Sequence, residues 1–183
     1  MGKVVLYWLP LGAGGSFVKL NGRIYEAVAA ALARRPRRDL YHAAIEVSSD
    51  GVKHTIELCP EQQGNHGRVA SGPVGSPLLG RFRLFRYEAR CWPGGAIPDL
   101  EFAAGEPLVL SEDESVARRI IALAPTVPTP TWGRDELRAG EMWNSNSVIA
   151  WLLESAGIDA EAVDLPPNGR APGWDAGVEV ARR

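Results

Sequence analysis

The stretch Tyr41-His42-Ala43-Ala44-Ile45-Glu46-Val47-Ser48-Ser49-Asp50-Gly51-Val52-Lys53-His54-Thr55-Ile56-Glu57-Leu58-Cys59 decides the fold. Apolar and polar residues alternate on both sides of Ser48-Ser49-Asp50-Gly51, as in two half-buried antiparallel strands joined by a tight turn. Strands at Tyr41–Val47 and Val52–Cys59 follow. The period of two puts Tyr41, Ala43, Ile45 and Val47 on one face with Val52, His54, Ile56 and Leu58. The other face carries His42, Ala44 and Glu46 with Lys53, Thr55 and Glu57. A four-residue loop sets Val47 against Val52 and His42 against Glu57. A two-residue Asp50-Gly51 turn slides the pairing by two and makes His42 and Glu57 diagonal neighbours. In either register an imidazole lies beside a carboxylate, and Ala43 and Ala44 leave room for a helix to approach.

Upstream, Lys3–Leu9 reads as a strand, Gly12-Ala13-Gly14-Gly15 as a flexible turn, and residues 22–35 as a helix with Ile24, Val28, Ala31 and Leu32 inward. The glycine spacing matches neither a P-loop nor a dinucleotide fingerprint. Downstream, Pro60–Gly80 is rich in Gly, Pro and Ser and reads as a flexible loop, a lid or flap. A strand over Phe82–Arg90 follows, with Arg81, Arg83, Arg86 and Arg90 on an exposed face. Ser111-Glu112-Asp113-Glu114 reads as a capping box before a helix that turns Val116, Ile120 and Leu123 inward. Pro125, Pro128 and Pro130 force an extended linker. A third helix spans 144–156, and residues 158–183 read as an irregular tail with an edge strand at Val178–Val180. The order implies one α+β domain over 1–183, with helices packed on an antiparallel sheet.

The chain has 183 residues, a net charge of −2, 45% hydrophobic and 23% charged residues, ordinary values for a folded domain. That charge argues against nucleic acid as a partner, since such domains are usually strongly basic. No run approaches the roughly 20 apolar residues of a membrane span, and Val4–Leu11, broken by Pro10, is no signal peptide. Cys59 and Cys91 make neither a disulfide framework nor a four-ligand metal site, and they read as reduced thiols of a cytoplasmic protein. His42, His54 and His66 are too far apart for a metal motif, so no metal and no other cofactor is expected.

Trp143-Asn144-Ser145-Asn146-Ser147 opens the third helix. In helical steps Ser145, Val148, Ile149, Leu152 and Ala156 share a face, so a hydroxyl enters the buried side at a helix start, where N–H groups and the dipole favour negative charge. His42 on a strand, Glu57 on the next and Asn144-Ser145-Asn146 at a helix start resemble the circularly permuted papain-like proteins. These form the lecithin–retinol acyltransferase-like branch of the NlpC-type superfamily. The likeness covers roughly residues 40–60 and 140–157. It implies a permuted papain-like arrangement and a hydrolase or acyltransferase acting on an amide or ester. Ser145 would be the nucleophile, His42 the general base and Glu57 its orienter. Asn144, Asn146 or N–H groups of the helix start would bind the oxyanion, and Trp143 the substrate. Small-molecule, lipid and peptide substrates all fit.

Members of that family carry Cys where this chain has Ser145. A serine hydroxyl is far harder to ionise than a thiol. Three explanations follow: a natural serine nucleophile, a catalytically inactive binding module using the same cleft, or a cysteine replaced by design. Elsewhere, His54 reads as a packed histidine, and Arg134-Asp135-Glu136 as a surface turn ahead of a substrate clamp.

Overall fold

The computed structural model describes residues 1–12, 26–27, 30–31, 33–61, 67–97 and 99–183. The hairpin forms as β2 (Asp39–Ser49) and β3 (Val52–Pro60). Ser49 pairs with Val52, so the two-residue turn is the one adopted and the four-residue loop is not. Asp50 and Gly51 both take positive φ, 51° and 77°, as a turn matching the strand twist demands. Around the hairpin lie β1 (Lys3–Pro10), β4 (Arg68–Pro73), β5 (Arg86–Pro93) and β6 (Leu108–Ser111), in the order β4-β5-β3-β2-β1-β6. All of these neighbours are antiparallel, and the two-residue β7 (Gly169–Arg170) adds a short parallel pairing to β2. Three α-helices complete the described residues: α1 (Glu114–Leu123), α2 (Ser145–Ser155) and α3 (Trp174–Ala181). The fold is α+β with helices on an antiparallel sheet.

The two faces of the sheet are unlike. One carries Val4, Leu6 and Trp8 of β1, Ala43, Ile45 and Val47 of β2, Ile56 and Leu58 of β3, and Tyr87 and Ala89 of β5. Against it pack Ala117 and Ile120 of α1 and Val148, Ile149, Leu152 and Leu153 of α2. The opposite face has only a small apolar cluster of Leu9, Ala44 and Ile97, with Tyr7 and Ala103 at its margin. Polar pairs fall there by register, Glu57 with Arg90 and Cys59 with Glu88, alongside Val5 and Trp92.

Four expectations are corrected. Residues 158–183 are not an irregular tail ending in an edge strand. Gly173, at φ 83°, turns the chain into α3, which buries Trp174, Ala176, Gly177 and Val178. Val178-Glu179-Val180 is too short for its alternation to outweigh that packing. Among the described residues of 60–80, the edge strand β4 and a 3-10 turn at Pro77–Arg81 stand where an open loop was expected. β5 begins at Arg86 rather than Phe82, and Arg90 is buried beside Glu88 instead of exposed. The helix cap at residue 113 is Asp113, which accepts from Ser115 N at 2.7 Å; Ser111 Oγ accepts from Asp113 N. The expected glycine turn and the helix over 22–35 fall mostly outside the described residues, as does His66. Ala31 of that helix is exposed and Ala30 is buried. Among the described residues no helix is long and apolar enough to cross a membrane, and no three His, Cys, Asp or Glu are placed to hold a metal ion.

Candidate functional site

The start of α2 is built from side chains that hold it in place. Asn144 is the N-cap; its Oδ1 accepts from Asn146 N at 2.8 Å and Ser147 N at 3.4 Å, and Ser147 Oγ accepts from Asn144 N at 3.0 Å. Asn144 Nδ2 donates to Pro172 O at 2.8 Å, and Ser147 Oγ donates to Gly173 O at 2.7 Å. These bonds tie the helix start to the turn before α3.

Asn146 does something different. β3 pairs with β2 only as far as Ile45 and β7 pairs with it only at Asp39 and Leu40, so β2 has an open edge from Ala44 back to Tyr41. There Asn146 Oδ1 accepts from Ala43 N at 2.8 Å and Asn146 Nδ2 donates to Tyr41 O at 3.0 Å. One amide replaces the missing strand and grips the peptide units on either side of His42. The helix start is thereby fixed against the His42 backbone. Of the four polar side chains at 144–147, Ser145 alone has no hydrogen bond among the described residues, although the residue is only 6% exposed.

His42 is half-buried on the polar face of the sheet. Burial pulls its imidazole down to about 4, opposed by the negative charge of Asp99. At neutral pH it is uncharged. Glu57 shares that face, and burial pushes its carboxyl up to about 7, with Arg90 opposing and Asp99 adding to the shift. Asp99 therefore acts on both groups. It sits in a left-handed conformation, φ 60°, at the start of the short turn Leu100–Phe102. The segment carrying it crosses the polar face, where Thr55 Oγ1 donates to Gly95 O at 2.8 Å and Ile97 packs with Leu9 and Ala44.

The structure brings the helix start and His42 to one strand edge, but no hydrogen bond joins Ser145, His42 and Glu57 among the described residues. The body of α2 packs on the face opposite His42, so the helix start meets β2 at its edge, through Asn146, and not across the face that carries the imidazole. The charge that supports His42 is that of Asp99. Strand alternation has no way to find a residue in a loop; its one local signal is that Asp tolerates left-handed backbone. The amides of Asn144 and Asn146 are already engaged, which leaves the Ser145 N–H as the donor open to an oxyanion at this helix start. Trp143, 2% exposed, lies in the core.

Other candidates fall away from this place. His54 sits on the helix-bearing face between Val47 and Pro93, its Nδ1 buried without a partner. Arg134, Asp135 and Glu136 build a turn by bonding Gly75 O, the Ala139 and Gly140 N–H groups, and Thr131 N respectively. Burial pushes the thiols of Cys59 and Cys91 up to about 12 and about 11, the opposite of a reactive cysteine. No protein-family model matches the chain, and no curated protein or solved structure matches it significantly.

Proposed function

We propose that the chain is a permuted papain-like hydrolase or acyltransferase acting on an amide or ester, with Ser145 as nucleophile and His42 as general base. What carries this reading is the Asn146 clamp on both sides of His42, next to Ser145, a residue only 6% exposed whose hydroxyl has no hydrogen bond among the described residues. As Ser145 Oγ attacks the acyl carbon, its proton passes to the neutral imidazole. The Ser145 N–H receives the oxyanion, and Asp99 stabilises the imidazolium. Collapse of the adduct expels the amine or alcohol, which takes the proton back from His42. Water, or an acceptor alcohol or amine, then releases the acyl group by the same steps in reverse. Glu57 lies close enough to share the electrostatics of this face, as a group that titrates near 7 rather than a fixed anion.

A second reading, a catalytically silent binding module, is favoured by the depressed basicity of His42 and by the missing Ser145–His42 bond. A fluorophosphonate probe and a panel of activated esters separate the two. The enzyme reading expects labelling that is lost in Ser145→Ala and reduced by at least about a hundredfold in His42→Ala. No labelling of the wild type, together with a Ser145→Cys variant whose thiol alkylates with an unshifted midpoint, overturns it. Cys59 and Cys91 give a slow background in that assay because burial keeps them protonated.

A further inference from the structure

We propose that Pro77–Phe85 is a docking surface for an anionic phospholipid bilayer. The segment reads Pro77-Leu78-Leu79-Gly80-Arg81-Phe82-Arg83-Leu84-Phe85, with apolar side chains interleaved with two arginines and no acid back to Val74. It folds as two 3-10 turns, Pro77–Arg81 and Arg83–Phe85, joined at an extended Phe82. Leu78 is 82% exposed, Leu84 87% and Phe82 48%, and Leu79 and Phe85 are each 37% exposed. Single exposed hydrophobes are ordinary on a protein surface. A contiguous run of this length marks an interaction site.

The run is not slack chain. Arg86 Nη1 donates to Gly80 O at 2.9 Å, while Arg86 Nη2 and Nε bond Ser71 Oγ and Glu61 Oε2, both at 2.8 Å. Val74 N donates to Phe85 O at 2.8 Å, and Gly75 N to Trp132 O at 2.9 Å. Gly80 is buried against Pro73, where an added Cβ would stand 2.7 Å from the proline Cβ. The backbone is held from beneath, and the large side chains that face solvent do so from a fixed platform.

Charge selects the occupant. The Arg81 guanidinium lies over the Phe82 ring, 4.7 Å from its centroid. Among the described residues neither Arg81 nor Arg83 has a carboxylate partner. Leucine and phenylalanine side chains enter the boundary between headgroups and acyl chains, and arginines between them meet phosphates. A neutral bilayer satisfies only the first requirement, and an anionic one satisfies both.

Co-sedimentation with vesicles of equal parts phosphatidylserine and phosphatidylcholine, against pure phosphatidylcholine, tests this. The wild type should bind the anionic vesicles, and less so as salt rises. Replacing Arg81 and Arg83 together by Gln should weaken binding about 25-fold, and replacing Leu78 and Leu84 together by Ser by roughly tenfold or more. Both double variants should keep the wild-type thermal midpoint, since the altered side chains are exposed. Ser145→Ala should bind vesicles as the wild type does, which separates this test from that of the acyl-transfer site. No binding to anionic vesicles, equal binding to pure phosphatidylcholine, or unchanged binding by the leucine variant overturns the proposal. Concentration-dependent self-association that the leucine variant abolishes also overturns it, by giving the patch to a second copy of the chain.

Discussion

At the scale of single residues, His42 and Glu57 are titratable neighbours displaced in opposite senses by the same burial. His42 titrates near 4 in the folded chain and near 6.5 unfolded, so the unfolded state binds more protons between those values. Its contribution is whole above pH 6.5 and is lost as pH falls towards 4. Glu57 titrates near 7 folded and near 4.5 unfolded, so its contribution is whole below pH 4.5 and is lost as pH rises through 7. Replacing Glu57 by Gln should leave stability at pH 4.5 little changed and raise it at pH 8 by on the order of 2 kcal/mol. Urea midpoints at the two pH values check this, and an equal effect at both would contradict the burial of the carboxyl. Sharing of a face by His42 and Glu57 was legible from alternation alone, because side chains on a strand have a period of two. Asp99 was not legible, because a loop residue has no period to follow.

At the scale of elements, α2 and α3 meet so closely that one small residue decides their distance. A Cβ on Gly177 would stand 2.2 Å from Ser147 O and 2.8 Å from the Ala150 Cβ. In an isolated helix Gly→Ala gains about 1 kcal/mol. Here the clash is with backbone that cannot swing away, and overpacking of this kind costs about 1–3 kcal/mol or more. Gly177→Ala should therefore destabilise the protein by about 2 kcal/mol in chemical unfolding, and a stabilised variant would show that the two helices stand further apart. The helix over 145–155 was legible from its cap and its apolar run. Helix α3 was missed because the Pro172-Gly173 pair before it looks like a loop, and glycine and alanine at the contact carry no amphipathic signal.

At the scale of the whole molecule, the C-terminal segment completes the site from a distance. The carbonyls of Pro172 and Gly173 receive Asn144, Asn146 and Ser147, while Trp174 packs on Trp8 with ring centroids 5.0 Å apart and its Nε1 bonds Ala160 O. Ending the chain at Leu165 would strip these partners and uncover the buried side of α2. Such a truncation should lose its cooperative thermal transition by circular dichroism. A sharp melt within about 3 °C of the full chain, a shift on the scale of about 1 kcal/mol, would show that α3 is an accessory.

Sequence alone determined the hairpin, its faces, the start of a helix near residue 144 and the α+β class. Each rests on contacts between residues near in the chain, where periodicity and side-chain chemistry leave few choices. Tertiary structure decided the rest. It set the splay of β3 from β2 that opens an edge for Asn146, and the placement of residues 94–97 and 99–103 that brings the charge of Asp99 to bear on His42. It also seated α3 against α2. These depend on which distant surfaces meet, and that is a property of the packed whole that no local pattern encodes.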